Sequence, residues 1–174
     1  MPSSLETDDP ETWLEWMGEL IPGFKQAGYI VTPSTTSRIL NNGKKAFENG
    51  GWHAYVQVKN GDDIERFGKE LLIYSMSTEY GFMRPFISKK TGEISGHRPW
   101  LITDPTTFTP ERLVFDGSPF VSDKGLSIID ADLQVKSGKR LDTSQLEVTD
   151  DNKILVERKS GYRVERVWHS AGYD

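Results

Sequence analysis

Apolar and polar positions change their period several times along the chain, and each change marks an element. From position 8 to 28 the spacing is helical: Trp13, Trp16, Met17 and Leu20 recur at three and four and make one stripe, read as core-facing. Asp9 stands where an N-cap belongs, Pro10 in the first turn, and Glu11 adds favourable charge at the helix start. Pro22-Gly23 interrupts this segment and Gly28 closes it. "GYIVTPS" then predicts a short strand ended by Pro33, and 34–51, rich in Ser, Thr, Asn, Gly and Lys, predicts a loop or flexible hairpin. Residues 52–58 alternate as a strand.

Asp62 or Asp63 is placed to cap a second helix running to about Tyr80, with Ile64, Phe67, Leu71 and Leu72 on one face. "GFMRPFIS" predicts a strand that its proline confines to an edge, and "KKTGEIS" a turn. "PWLITD", "ERLVFDG" and "LSIIDADLQV" are short apolar stretches of strand type, and "SGKRLDTSQL" is a loop. From Leu146 to Trp168, "ILVER" and "YRVERVW" predict strands of a β-rich C-terminal meander, with "DDNK" and "KSG" as its turns. No repeat or linker appears. The order is that of a single α+β domain over 1–174, with a mostly antiparallel sheet and flanking helices, rather than a βαβ alternation.

Bulk properties narrow the function classes. With 174 residues, 36% hydrophobic and 27% charged, the chain is long enough and apolar enough for a core. It contains no apolar run of transmembrane length and opens on a polar, acidic stretch, so a membrane span and a secretory signal are not expected and the chain reads as cytoplasmic. The absence of cysteine excludes disulfides, thiolate metal sites and a cysteine nucleophile. A net charge of −5 gives no support to nonspecific nucleic-acid binding by the chain as a whole. The basic clusters at Lys44-Lys45, Lys89-Lys90 and Lys136 to Arg140 read first as solvated surface.

Few residues carry chemistry. His53 emerges just behind Gly50-Gly51, where the backbone is free to approach a ligand and a histidine to meet a phosphate or metal; an idle strand histidine is the plainer alternative. Asp104 ends an apolar run, a position suited to a divalent cation on a rigid frame, though Asp-Pro also starts turns. Asp130 and Asp132 lie two apart, so on one strand they would share a face and a metal, or simply face solvent. "TPSTTS" packs hydroxyls, Ser34 and Ser37 among them, into a short loop that either receives phosphate or satisfies its own turn. No Walker-type loop and no Gly-x-Gly-x-x-Gly is present.

"IPGFKQAGYIVTPSTTSRI", "GGWHAYVQVKNGDDIERFGKELL" and "PWLITDPTTFTPERLVFDG" in this order resemble the primase-polymerase domain of plasmid, phage and integrated-element replication proteins, within the archaeo-eukaryotic primase superfamily. The resemblance spans roughly residues 20–148. It implies an RRM-like antiparallel sheet with an added α/β unit and metal-dependent nucleotidyl transfer with Mg2+ or Mn2+. The implied partners are nucleoside triphosphates, a single-stranded DNA template and a helicase or other replication protein, with no membrane. By position His53 matches the family's phosphate-binding histidine, with Gly51 as the small residue of its motif, and Asp104 matches the later metal-binding acid. The family's first motif, an Asp-x-Asp upstream of the histidine, has no counterpart between Met1 and Gly51; "DAD" at 130–132 has its letters but follows the other motifs. A shortened and catalytically crippled version of the domain is therefore one expectation. Two others remain open: a non-catalytic module that stacks single-stranded bases on aromatics such as Trp52, Tyr55 and Phe82 or binds a replication partner, and a metal-dependent nuclease.

Overall fold

The computed structural model describes residues 7, 9–47, 51–108, 119–130 and 133–171. Helix α1 (Pro10–Leu20) starts as the sequence predicts: the Asp9 carboxylate accepts the N–H groups of Glu11 at 3.2 Å and Thr12 at 3.0 Å. It ends before Pro22, and a separate 3-10 turn follows over Phe24–Gln26. Strands β1 (Tyr29–Pro33), β2 (Ile39–Asn41), β3 (Lys44–Lys45) and β4 (Trp52–Val56) precede helix α2 (Ile64–Ser77). Then come β5 (Gly81–Ile87), β6 (Ile94–Leu101), β7 (Leu126–Ile128), β8 (Gln134–Lys136), and helices α3 (Asp150–Ser160) and α4 (Val164–Ser170). The fold is α+β. The strands form three small antiparallel sheets, ordered β4-β1-β8, β3-β2-β7 and β5-β6.

Two sequence expectations are corrected. The C-terminal segment is helical, not a β-meander. "DDNKILVERKS" is α3, and "VERVWHS" is α4. End signals outweigh the β-branched residues within: Thr149 and Asn152 form a reciprocal capping box, Asp150 and Asp151 lie in the first turn, and Arg158 and Lys159 in the last. Gly161 then closes the helix at φ 73°, a conformation that suits glycine. The second correction concerns "LSIIDADLQV", which is two strands in different sheets: β7 pairs with β2, and β8 pairs with β1. The expected strand "ERLVFDG" and the acid Asp132 lie outside the described residues.

Helix α2 separates two apolar clusters. Phe67 and Leu71 pack with Met17, Leu20, Ile21, Phe24, Leu141 and Leu146. Leu72, Ile73 and Met76 pack with Leu101, Val156, Val164 and Val167. A helix wrapped on most sides by apolar neighbours has only a narrow polar strip, and its N-terminal turn uses it as a clamp. Asp63 accepts two charge-assisted bonds from Arg66, at 2.6 and 2.7 Å, and one from the Thr143 hydroxyl at 2.5 Å. Arg66 also donates to the carbonyls of Thr143 and Leu146. The segment after β8 is thereby fixed to α2. At its other end the backbone at Gly138 comes so close to that at Ala27 and Gly28 that a Cβ on Gly138 would lie 2.4 Å from it. Only glycine fits there, and the approach aligns β8 with β1.

Candidate functional site

The β4-β1-β8 sheet sorts its side chains by alternation, and this decides what faces outward. Val31 is fully buried; Tyr29 and Val56 pack on the first apolar cluster. Ala54 is the register partner of Val31 and so shares that inner face. The intervening residues point the other way: Ile30, Thr32, His53, Tyr55 and Val135, with Ile30 opposite both Tyr55 and Val135, and Thr32 opposite His53. Ile30 is 43% exposed, Tyr55 40% and Val135 70%, an apolar patch on an open sheet face. His53 sits at the rim of this patch with its ring edge-on to Tyr55, centroids 6.5 Å apart. The histidine is at the mouth of a strand because the period of two that buries Val31 turns its neighbours toward solvent.

The hydroxyl loop adjoins that rim. Past Pro33 it forms a 3-10 turn over Thr35–Arg38. The Ser34 N–H donates to the Gly51 carbonyl at 2.8 Å, and the Gly51 N–H donates to Ser34 Oγ at 3.2 Å. Ser37 Oγ donates to the same Gly51 carbonyl at 2.8 Å and lies 2.8 Å from Ser34 Oγ. Ser34, Ser37, Gly51 and His53 are thus brought together at the junction of the turn and β4. The Gly51 amide and both serine hydroxyls are engaged with one another. They staple the turn to the start of β4 and so help set the position of His53.

The acids divide. Asp104 follows β6 and caps its own 3-10 turn: its Oδ1 accepts the Thr106 N–H at 3.0 Å and the Thr106 hydroxyl at 2.7 Å. Asp130 is exposed and lies just past the end of β7, not within a strand. Its neighbour Ile129 exchanges bonds with Arg38, donating its N–H to the Arg38 carbonyl at 2.9 Å and accepting from Arg38 Nε at 3.1 Å. A few residues on, Gln134 pairs with Val31. The described residues on either side, Ile129 and Gln134, thus pair with the end of the hydroxyl turn and with β1 respectively. Asp130 is next to a residue paired with the last residue of the hydroxyl turn, a placement that sequence order alone does not give.

Among the described residues alone, the divalent cation implied by the family resemblance does not find a complete ligand set. Among the described residues, no three histidine, aspartate or glutamate side chains gather where they could hold a metal. Two members of the patch, Ile30 and Val135, were not anticipated. The signal for Ile30 was present in the alternation of "GYIVTPS", but choosing the outward phase requires knowing that Val31 is buried, and Val135 faces the same way only through the pairing of β8 with β1. Among the described residues, no helix is long and apolar enough to cross a membrane. Comparison with protein-family models, curated proteins and solved structures gives no match.

Proposed function

We propose that the outer face of the β4-β1-β8 sheet receives a nucleoside triphosphate, in a domain of primase-polymerase type with an RRM-like use of its sheet. One observation carries this: a histidine and a hydroxyl, His53 and Thr32, stand side by side at the rim of an exposed apolar and aromatic patch formed by Ile30, Tyr55 and Val135. The pairing suits a ligand with a charged end and a flat, weakly polar end. His53 donates a hydrogen bond to a phosphate oxygen, and the base lies over Tyr55 and Ile30. Ser34, Ser37 and Gly51 act as positioning residues that hold the rim. A cation accompanying the triphosphate would draw on Asp130, carried beside the hydroxyl turn by the Ile129–Arg38 pairing, and on groups outside the described residues, Asp132 among them. Asp104 is the other acid assigned to it by the resemblance.

Calorimetric titration with a nucleoside triphosphate, with and without manganese, tests this. We expect saturable binding by the parent protein and a loss of roughly tenfold or more in His53→Ala, the scale of one charge-assisted hydrogen bond. Equal affinity for both proteins would remove His53 from the site. No binding by the parent in either condition would reject a nucleotide face altogether. Manganese-dependent binding that weakens in Asp130→Asn would assign Asp130 to the cation.

A further inference from the structure

The β5-β6 ribbon has two unlike faces. Gly81, Pro99 and Leu101 are buried, and Met83 packs on the second apolar cluster, so this side anchors the ribbon's base to α2 and the C-terminal helices. The opposite side carries Phe82 against Trp100, Arg84 against Arg98, and Phe86 against Gly96, in register. Phe82 and Trp100 stack with centroids 5.0 Å apart at 27°, and the Arg98 guanidinium lies 5.6 Å over the Phe86 ring. Phe86 is 48% exposed, with only a glycine across from it. The ribbon ends in Lys89 and Lys90. Its four basic side chains meet one acid, Glu93, in a chain whose net charge is −5.

Two arginines directly opposite each other on adjacent strands repel, and among the described residues no carboxylate pairs with either. The arrangement calls for an external anion. Alternating guanidinium groups and open aromatic rings along one ribbon match a repeating anion with flat groups between the charges. We infer that the outer face of the β5-β6 ribbon binds single-stranded nucleic acid, Arg84, Arg98, Lys89 and Lys90 meeting phosphates and Phe86 stacking a base. This goes beyond the nucleotide face and does not depend on it, since the ribbon belongs to a different sheet from His53.

Fluorescence anisotropy of the full chain with a labelled oligothymidylate is the test, repeated across a salt series. The parent should bind with an affinity that falls as salt rises. Arg84→Ala/Arg98→Ala should weaken binding at least tenfold and flatten the slope of log K against log salt by about 1.4, two contacts to a single strand. Phe86→Leu, which keeps the apolar bulk and removes the stacking ring, should weaken it roughly fivefold while leaving the salt slope unchanged. If the double arginine variant binds like the parent, the charges serve only to keep the ribbon's edges from pairing with other chains, and the inference is wrong. Competition by polyglutamate as effective as by unlabelled oligothymidylate would equally overturn it, pointing instead to an acidic protein.

Discussion

The β4-β1-β8 sheet and the β5-β6 ribbon are both small and antiparallel, and they solve the problem of an exposed strand in opposite ways. The sheet packs one face on the first apolar cluster, with Val31 fully buried, so register is fixed and the open face inherits fixed positions for His53, Thr32 and Tyr55. The ribbon buries only its base; past Pro85 its residues are mostly exposed, and charge replaces burial as the organising feature. A ligand site that needs defined distances belongs on the first. A grip that follows a flexible polymer belongs on the second, where binding tolerates movement of the platform.

The sharpest way to break this contrast is within the sheet, at adjacent residues on opposite faces. Val31→Ala removes two methyl groups from a fully buried position and should cost about 2.5 kcal/mol. In a chain of this length that lowers the melting midpoint by about 5–10 °C. Ile30→Ala, on the open face, should cost under about 1 kcal/mol. Thermal unfolding of the pair decides it. Equal losses would mean that something covers the outer face, and the proposed nucleotide face would be closed.

That same alternation marks how much the sequence discloses. The start of α1 was legible because Asp9 and Pro10 are local signals, and α2 because Phe67, Leu71 and Leu72 repeat. The meander expected near the C-terminus failed on "ILVER", where β-branched residues suggest a strand. The deciding signals lay outside it, in Thr149, Asn152 and Gly161, and only Val156 of α3 is buried, which leaves little periodicity to read. For the site, Ser34, Ser37, Gly51 and His53 were legible as candidates, but their hydrogen-bonding roles were not. Whether the Gly51 amide faces a ligand or Ser34 Oγ depends on where the turn after Pro33 folds back, a long-range fact. Asp130 illustrates the same limit: its place beside the turn follows from strand pairing of β7 and β8 with two different sheets.

A smaller effect sharpens the comparison from the side of the frame that holds the sheet. Arg66 and the Thr143 hydroxyl hold the Asp63 carboxyl at about 2, below the ordinary 3.8. A carboxyl whose value is lowered on folding binds its proton more weakly in the folded than in the unfolded chain. Its stabilisation is therefore complete above about pH 4 and is lost as pH falls toward 2, a loss of about 1–2 kcal/mol after allowance for solvent access. Asp142, lowered to about 2 by Ser144 and Lys59, titrates in the same window. Denaturant unfolding from pH 5 downward should show this decline, and Asp63→Asn should be less stable at pH 5 with a shallower fall. A variant that keeps the parent's full slope would mean the clamp contributes nothing to the acid limb. The ribbon, tied by no such ion pair among the described residues, should not take part.

The smallest effect belongs to the ribbon and has the opposite sign to an ordinary mutation. Arg84→Glu replaces a like-charge cross-strand pair with an opposite-charge pair facing Arg98, on an exposed surface. The gain should be about 0.5 kcal/mol, or roughly 1–2 °C in the midpoint, and should shrink with added salt. The same substitution places an acid on the face proposed to meet phosphates, so oligonucleotide binding should fall further than in Arg84→Ala. A protein made slightly more stable and a poorer binder by one change would show that Arg84 is kept at a cost to the fold, as expected of a residue whose partner lies outside the chain. A loss of stability would instead mean that Arg84 is held by contacts within it, and the ribbon would then resemble the sheet.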